Sequence, residues 1–293
     1  MIESRAYGNN GLLVSALGLG AGQLGHDGLS EADADALLAG ALDAGVTLID
    51  TAPSYGLSEQ RIGRYLGARR DVAVISTKLG YGVDGVEDWT GPCITGGVEK
   101  ALRILRTDRI DIAHLHSCPR AVLERGEVID ALDRAKAAGK LRAIAYSGEN
   151  DDLDYALACR RFDGLMASLN PFEQRTADRV LPALDGVAFI AKRPVANHPW
   201  RFAERPVGDY CEPYWERMRA MDLAPPEGMA WGEFALRFTL SIPGVASAIV
   251  GTGRLAHLLE NVEWAEKGPL DTGVLAAWRE RFRVADTGWI GQI

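Results

Sequence analysis

Residues 110–147 read IDIAHLHSCPRAVLERGEVIDALDRAKAAGKLRAIAYS. Ile110 to His116 is a short, mostly apolar run, of the length a buried strand takes. Val128 to Ala138 reads as a helix, closed by Gly139 where a glycine C-cap belongs. Ala143 to Ser147 reads as the next strand. The stretch is therefore one strand–helix–strand unit, the element from which α/β folds are built.

The same alternation continues in both directions. Upstream, Ser15-Ala16-Leu17-Gly18-Leu19-Gly20 precedes a helix from about Glu31, whose apolar residues Ala34, Leu37, Leu38, Ala41 and Leu42 follow the helical stripe. Ser30 and Asp33 form a capping pair for its start, and Gly45 stands at its C-cap. Thr47–Asp50 reads as a strand and Ser58–Leu66 as a helix. Val72–Lys78 reads as a strand, and the helix after it carries Val98, Ala101, Leu102 and Leu105 on one face. Downstream, strand Ala143–Ser147 precedes helix Leu153–Arg161, and strand Leu165–Asn170 precedes a short helix near Asp178–Leu184. Strand Ala188–Arg193 leads through a long loop to helix Met229–Leu240. Strand Ser247–Gly251 precedes helix Leu255–Ala265. These make eight strand–helix units in 293 residues, the size and order of a (β/α)₈ TIM barrel. Ser4–Tyr7 and Leu12–Val14, joined through Gly8-Asn9-Asn10-Gly11, read as an added N-terminal β-hairpin. Asp271–Val284 reads as a C-terminal helix with a polar and aromatic tail. No Pro/Gly/Ser-rich linker interrupts the pattern, so residues 1–293 are expected to form a single domain. A doubly wound open sheet shares the alternation and is the competing architecture.

Composition narrows the function. Hydrophobic residues are 47% and charged residues 25%, an ordinary globular balance that excludes disorder and a simple coiled coil. With 32 Lys and Arg against 40 Asp and Glu the net charge is −8, which argues against nonspecific nucleic-acid binding. No apolar run reaches the ~18 residues of a membrane span, and the N-terminus lacks a signal-peptide core. Cys93, Cys118, Cys159 and Cys211 are scattered without CxxC spacing and read as free thiols of a reducing cytoplasm.

In a barrel, function gathers at the C-terminal ends of the strands. Asp50 ends the second strand, with Tyr55 in the following loop; Lys78 ends the third and His116 the fourth. Alone, such an Asp is a helix cap, such a Lys is solvated and such a His is structural. Together they meet at one mouth.

These residues lie in stretches that resemble the aldo-keto reductase family. Asp50-Thr51-Ala52-Pro53-Ser54-Tyr55-Gly56 with Ser58-Glu59 resembles its second-strand motif, and Val74-Ile75-Ser76-Thr77-Lys78 its third-strand lysine motif. Arg106–Asp111 running into Leu115-His116-Ser117 resembles the fourth. Gly139–Ile144 with Ser147 resembles the fifth. Gly251-Thr252 with His257-Leu258 and Glu260-Asn261 resembles the eighth. The hairpin and Val14–Gly20 match the family's opening. The resemblance covers nearly the whole chain. It implies a metal-free barrel that reduces an aldehyde or ketone with NADPH, or runs in reverse on an alcohol.

Carbonyl reduction needs a hydride donor on the carbon and a proton donor on the oxygen. A tyrosine, titrating near ~10, is a poor acid at neutral pH; a neighbouring ammonium lowers that value. The expected roles follow: Tyr55 as general acid, Lys78 as its activator, Asp50 as the partner fixing Lys78, and His116 as the group polarising and positioning the carbonyl. The resemblance implies cofactor contacts from Gly20, Ala21, Asp50, Ser147, Asn170, Lys192, Gly251, Thr252, Arg254, His257 and Asn261. Several positions depart from the family. Lys192 replaces a tyrosine that stacks on the nicotinamide, Gly148 replaces an asparagine and Met166 a glutamine, leaving Ser147 and Asn170 to keep part of the carboxamide contact. Arg254, between Gly251 and His257, is the cation available for a 2′-phosphate. The loop Val195–Pro226, Trp289, Trp89 and Trp200 are expected pocket walls.

Other readings compete. Gly20-Ala21-Gly22-Gln23-Leu24-Gly25 matches GxGxxG with Asp50 as a ribose-binding acid, but the helical stripe starts only near Glu31 rather than inside the glycine run. His114 and His116, two apart on a strand, share a face and would suit a metal-dependent hydrolase, with His198 or Asp50 as third ligand; the plainer reading of His114 is a packed barrel-interior residue. Lys192 at a strand end matches the place of a Schiff-base lysine, though a salt-bridged or cofactor-contacting role is the plainer reading. A nucleotide-sensing barrel without turnover is the alternative outside catalysis; the four intact polar residues favour the enzyme. The small-molecule carbonyl is left unnamed by the residues, and monomer and homo-oligomer are both open.

Overall fold

The computed structural model describes residues 2–293. A hairpin of β1 (Ser4–Tyr7) and β2 (Leu12–Ser15) precedes eight parallel strands: β3 (Leu17–Gly20), β4 (Leu48–Asp50), β5 (Val74–Leu79), β6 (Ile110–His116), β7 (Leu141–Ser147), β8 (Gly164–Ser168), β9 (Ala188–Lys192) and β10 (Ser247–Gly251). They close in chain order, β10 pairing with β3, into a barrel. The doubly wound alternative is thereby excluded. The principal outer helices are α1 (Glu31–Asp43), α2 (Ser58–Tyr65), α3 (Gly91–Leu105), α4 (Arg120–Arg125), α5 (Glu127–Ala137), α6 (Asn150–Ala158), α7 (Arg175–Arg179), α8 (Glu212–Met221), α9 (Trp231–Leu240), α10 (Leu255–Glu266) and α11 (Thr272–Ala285).

Two apolar cores follow from the closure. A small inner one fills the barrel and is stoppered at the N-terminal end by the hairpin, with Tyr7 and Leu12 packing on Leu48, Val74, Ile112 and Met166. Gly164 makes room for the stopper, since a Cβ there would lie 1.9 Å from the Tyr7 hydroxyl. The larger core lies between strands and helices, so β4 and β5 are buried on both faces, as parallel strands under helices must be. Ser30 caps α1 by accepting from Asp33 N.

Three local expectations change. The long loop after β9 contains α8, whose inward positions Tyr214, Arg217 and Met221 break the apolar stripe with an arginine and so hide the helix. β8 ends at Ser168, and Asn170 instead forms a turn, its backbone paired both ways with Glu173. β9 ends at Lys192; Arg193 has a positive φ of 55°, as do Ala196, Asn197 and His198, so the chain coils tightly over the barrel mouth.

Candidate active site

The strand register assembles the site. Asp50 pairs with Ser76, and Lys78 with His114, which sets the ends of β4, β5 and β6 side by side. Lys78 Nζ donates to Asp50 Oδ2 at 2.7 Å and to the Thr51 carbonyl at 2.9 Å. Both side chains are buried, at 2% and 3% exposure. Removing one partner of such a pair costs about 3–5 kcal/mol, because the other charge is stranded. Ser76 Oγ donates to Asp50 Oδ1 at 2.7 Å. With its one proton so used, Ser76 accepts from His114 Nε2 at 3.0 Å. His114 is thus a fully buried residue, hydrogen-bonded through Nε2 into the column below the site.

Tyr55 sits above this column, its ring centroid 5.4 Å from Lys78 Nζ and 6.5 Å edge-on from the His116 ring. The glycine run at 20–25 has a packing role here. A Cβ on Gly25 would stand 1.6 Å from the Tyr55 carbonyl, and Leu57 N donates to the Gly25 carbonyl at 3.1 Å. The loop after β3 therefore presses against the loop that carries Tyr55, and no α-helix opens there.

The expected lowering of the Tyr55 pKa is not the net result. The Lys78 ammonium is the largest influence and lowers it, but burial and the Asp50 carboxylate together raise the phenol above its ordinary value. For Lys78, burial is the largest influence and opposes its charge, yet Asp50 prevails and its pKa is raised. Burial and the positive charges of Lys78, Lys192 and Arg193 push His116 down to about 3, so its imidazole is neutral.

A cleft of about 420 Å³ opens beside Tyr55, lined by Gly20, Asp50, Lys192 and Gly251, with Arg193 and Tyr210 among the residues on its rim. Gln23 and Gly251 join it to a second cavity of about 760 Å³, lined by Thr252, Arg254 and His257. Of the expected binding residues, Gly20, Asp50, Lys192, Gly251, Thr252, Arg254 and His257 line this continuous groove. Ser147 is buried, and its hydroxyl has no hydrogen-bond partner. Three others are differently employed. Ala21 has its N–H on the Asp50 carbonyl and its own carbonyl on Ser58 Oγ. Asn170 uses its side chain on the Arg193 carbonyl and Phe172 N. Asn261 donates to the His257 carbonyl of its own helix at 2.6 Å. Lys192 Nζ lies 3.1 Å from buried Glu149, the salt-bridged reading.

None of the three tryptophans expected as pocket walls lines this groove, although Trp289 borders a separate small cavity. Trp200 stacks on Trp231, Trp89 lies edge-on to Tyr81, and Trp289 packs on Phe282. Sequence reasoning missed Tyr81, whose hydroxyl is 2.6 Å from His116 Nδ1, and the groove residues Gln23 and Arg193, whereas Arg201 and Tyr210 come from the loop expected as a pocket wall. Tyr81 lies in the loop after β5, where the strand-end rule would have found it. Among the described residues no group of three or more His, Cys, Asp and Glu stands in metal-ligating geometry, and no helix is long and apolar enough to cross a membrane.

Known proteins share this chain's sequence pattern and its barrel fold. The sequence model of the Aldo/keto reductase family matches residues 16–281. The chain is 31% identical to a D-threo-aldose 1-dehydrogenase of a Pseudomonas species, over 87% of this chain and 90% of that one. It is 29% identical to an L-galactose dehydrogenase of Arabidopsis thaliana, over 89% and 87%. The holo form of an aldo-keto reductase from Bacillus halodurans superposes with a TM-score of 0.82 at 25% identity, covering 99% of this chain and 98% of that one. With the family matched from the first barrel strand to the last helix, the chain belongs to the aldo/keto reductase family of oxidoreductases.

Proposed function

We propose that this chain reduces an aldehyde or ketone with NADPH, Tyr55 protonating the carbonyl oxygen, and that the reverse reaction oxidises the corresponding alcohol. The observation that carries the reading is Tyr55 at the cleft, over a buried Lys78–Asp50 pair. Lys78, held by Asp50 and Thr51, stabilises negative charge developing on the phenol oxygen. That stabilisation grows along the reaction, because the phenol is neutral at the start. Neutral His116 supplies an N–H to the carbonyl oxygen and fixes its direction.

The residues present fit a nicotinamide dinucleotide. Ser147 has a buried hydroxyl without a partner, suited to a carboxamide. The first backbone N–H groups of α10 and the Arg254 side chain border the larger cavity, a setting that favours a phosphate. When bound, the dinucleotide supplies the hydride. Two relatives bear the names of sugar dehydrogenases, which supports a polyhydroxylated carbonyl or its alcohol as substrate. The four cysteines are unpaired, which supports a reducing compartment such as the cytoplasm, and we take residues 1–293 to act as one domain.

The test is NADPH oxidation across a panel of aldoses, simple aldehydes and ketones, with NADP⁺ reduction on the matching alcohols. Turnover on at least one class is expected. Tight dinucleotide binding with no turnover on any of them would overturn the enzyme reading in favour of a nucleotide sensor.

A further inference from the structure

One polar chain at the mouth reaches His116 through two residues, Ser54 and Tyr81, that have no role so far. Ser54 Oγ lies 3.0 Å from the Tyr81 hydroxyl, and that hydroxyl lies 2.6 Å from His116 Nδ1. Ser54 is exposed, Tyr81 half-buried and His116 half-buried, so the chain runs inward from solvent to the imidazole.

A neutral imidazole carries one proton, on Nδ1 or on Nε2. Burial keeps the Tyr81 phenol above its ordinary pKa, so it retains its proton at neutral pH and has one O–H to place. A phenol O–H directed at an imidazole nitrogen lone pair is the stronger pairing, and Ser54 can satisfy the tyrosine oxygen by donating to it. In that arrangement Nδ1 is an acceptor and Nε2 carries the hydrogen. The reverse arrangement would put the proton on Nδ1 and leave Nε2 with only a lone pair, which repels a carbonyl oxygen. The two rings are also in contact, with centroids 5.7 Å apart and planes tilted by 35°, and Trp89 packs edge-on behind Tyr81 at 6.3 Å. The donor is therefore held by packing as well as by hydrogen bonds.

We infer that Tyr81 is a positioning residue: its hydroxyl, donating to Nδ1, locks His116 in the Nε2–H tautomer and so aims an N–H at the substrate oxygen. The catalytic consequence rests on the reductase reading; the tautomer does not.

The experiment uses the full chain and its Tyr81→Phe variant. With ¹⁵N-labelled histidine, and His116 assigned by its loss in His116→Gln, the free wild type should show an unprotonated Nδ1 and a protonated Nε2. Tyr81→Phe should show a mixture of tautomers. With NADPH and the best carbonyl found, kcat should fall about 10–100-fold, by analogy with the loss of a group that orients a metal-ligating histidine, while the NADPH Kd stays unchanged. Ser54→Ala removes the outer donor and should give a smaller loss in the same direction. A proton on Nδ1 in the wild type, or an unchanged tautomer in Tyr81→Phe, would overturn the inference. So would a Tyr81→Phe enzyme with wild-type kcat. Failure of the reductase reading appears separately, as a wild type that oxidises no NADPH, and leaves the nitrogen spectra to decide the tautomer.

Discussion

Tyr55 is pulled in opposite directions, and the balance sets what its neighbours must do. Lys78 is the strongest single influence and favours the phenolate; burial and Asp50 oppose it and prevail. Tyr55 is therefore protonated at neutral pH, ready to donate, and Lys78 acts on the charge that forms during transfer. Tyr55→Phe keeps the ring and removes the proton, so kcat for reduction should drop by about 10²–10⁴-fold, the usual contribution of a general acid, with dinucleotide affinity nearly unchanged. A variant with near-full steady-state activity would remove Tyr55 from the chemistry. Lys78→Met deletes the lowering influence, so the phenol pKa rises further. Reduction should slow, and the alkaline limb of the kcat–pH profile should move to higher pH. A drop with no movement of that limb would mean that Lys78 acts through structure alone. Strand-end placement made these residues legible in the sequence. The net direction of the Tyr55 shift was not, because it depends on how deeply the fold buries the ring and where Asp50 comes to rest.

At the scale of elements, helix ends and loops decide which neighbours can serve a ligand. Arg254 is the N-cap of α10 and borders the larger cavity with Thr252 and His257. If it meets a 2′-phosphate there, Arg254→Ala should weaken NADPH more than NADH in fluorescence titrations; equal loss for both, or none, would take Arg254 out of that contact. The strands and most of the helices were readable because each is dominated by local apolar periodicity. Ala21 and Asn170 show where that reading stops. Both lie in the right loops, but their hydrogen-bonding groups are already committed, Ala21 to Asp50 and Ser58, Asn170 to the turn before α7. Asp50, Ser58 and the Arg193 carbonyl, which make the decisive commitments, are distant in sequence from the residues they hold. Helix α8 was hidden for a related reason: Arg217 occupies an inward position because Glu173, in the loop after the neighbouring strand β8, lies 3.4 Å away to receive it.

At the scale of the whole molecule, barrel closure creates an interior that no single unit has, and its polar column runs from Lys78 through Asp50 and Ser76 to His114. His114 has no exposed surface. Burial first, then the charges of Lys78 and Lys192, hold its pKa well below the ordinary value of 6.5. A histidine whose folded pKa is depressed is neutral in both states above about pH 6.5, and there it costs the fold nothing. As pH falls below that value the unfolded chain takes up the proton and the folded one does not. Stability then declines by up to about 1.4 kcal/mol per pH unit for this one group. Other groups titrate in the same window, His116 among them, so the comparison must be made against a variant that lacks only this proton. His114→Gln keeps an N–H for Ser76 and cannot titrate. In urea unfolding from pH 7.5 down to about pH 4.5, the stability advantage of the wild type over His114→Gln should be constant above pH 6.5 and shrink steadily below it. An advantage that stays level across the whole range would mean that His114 takes up its proton inside the folded barrel, and the neutral column beneath Asp50 would be wrong.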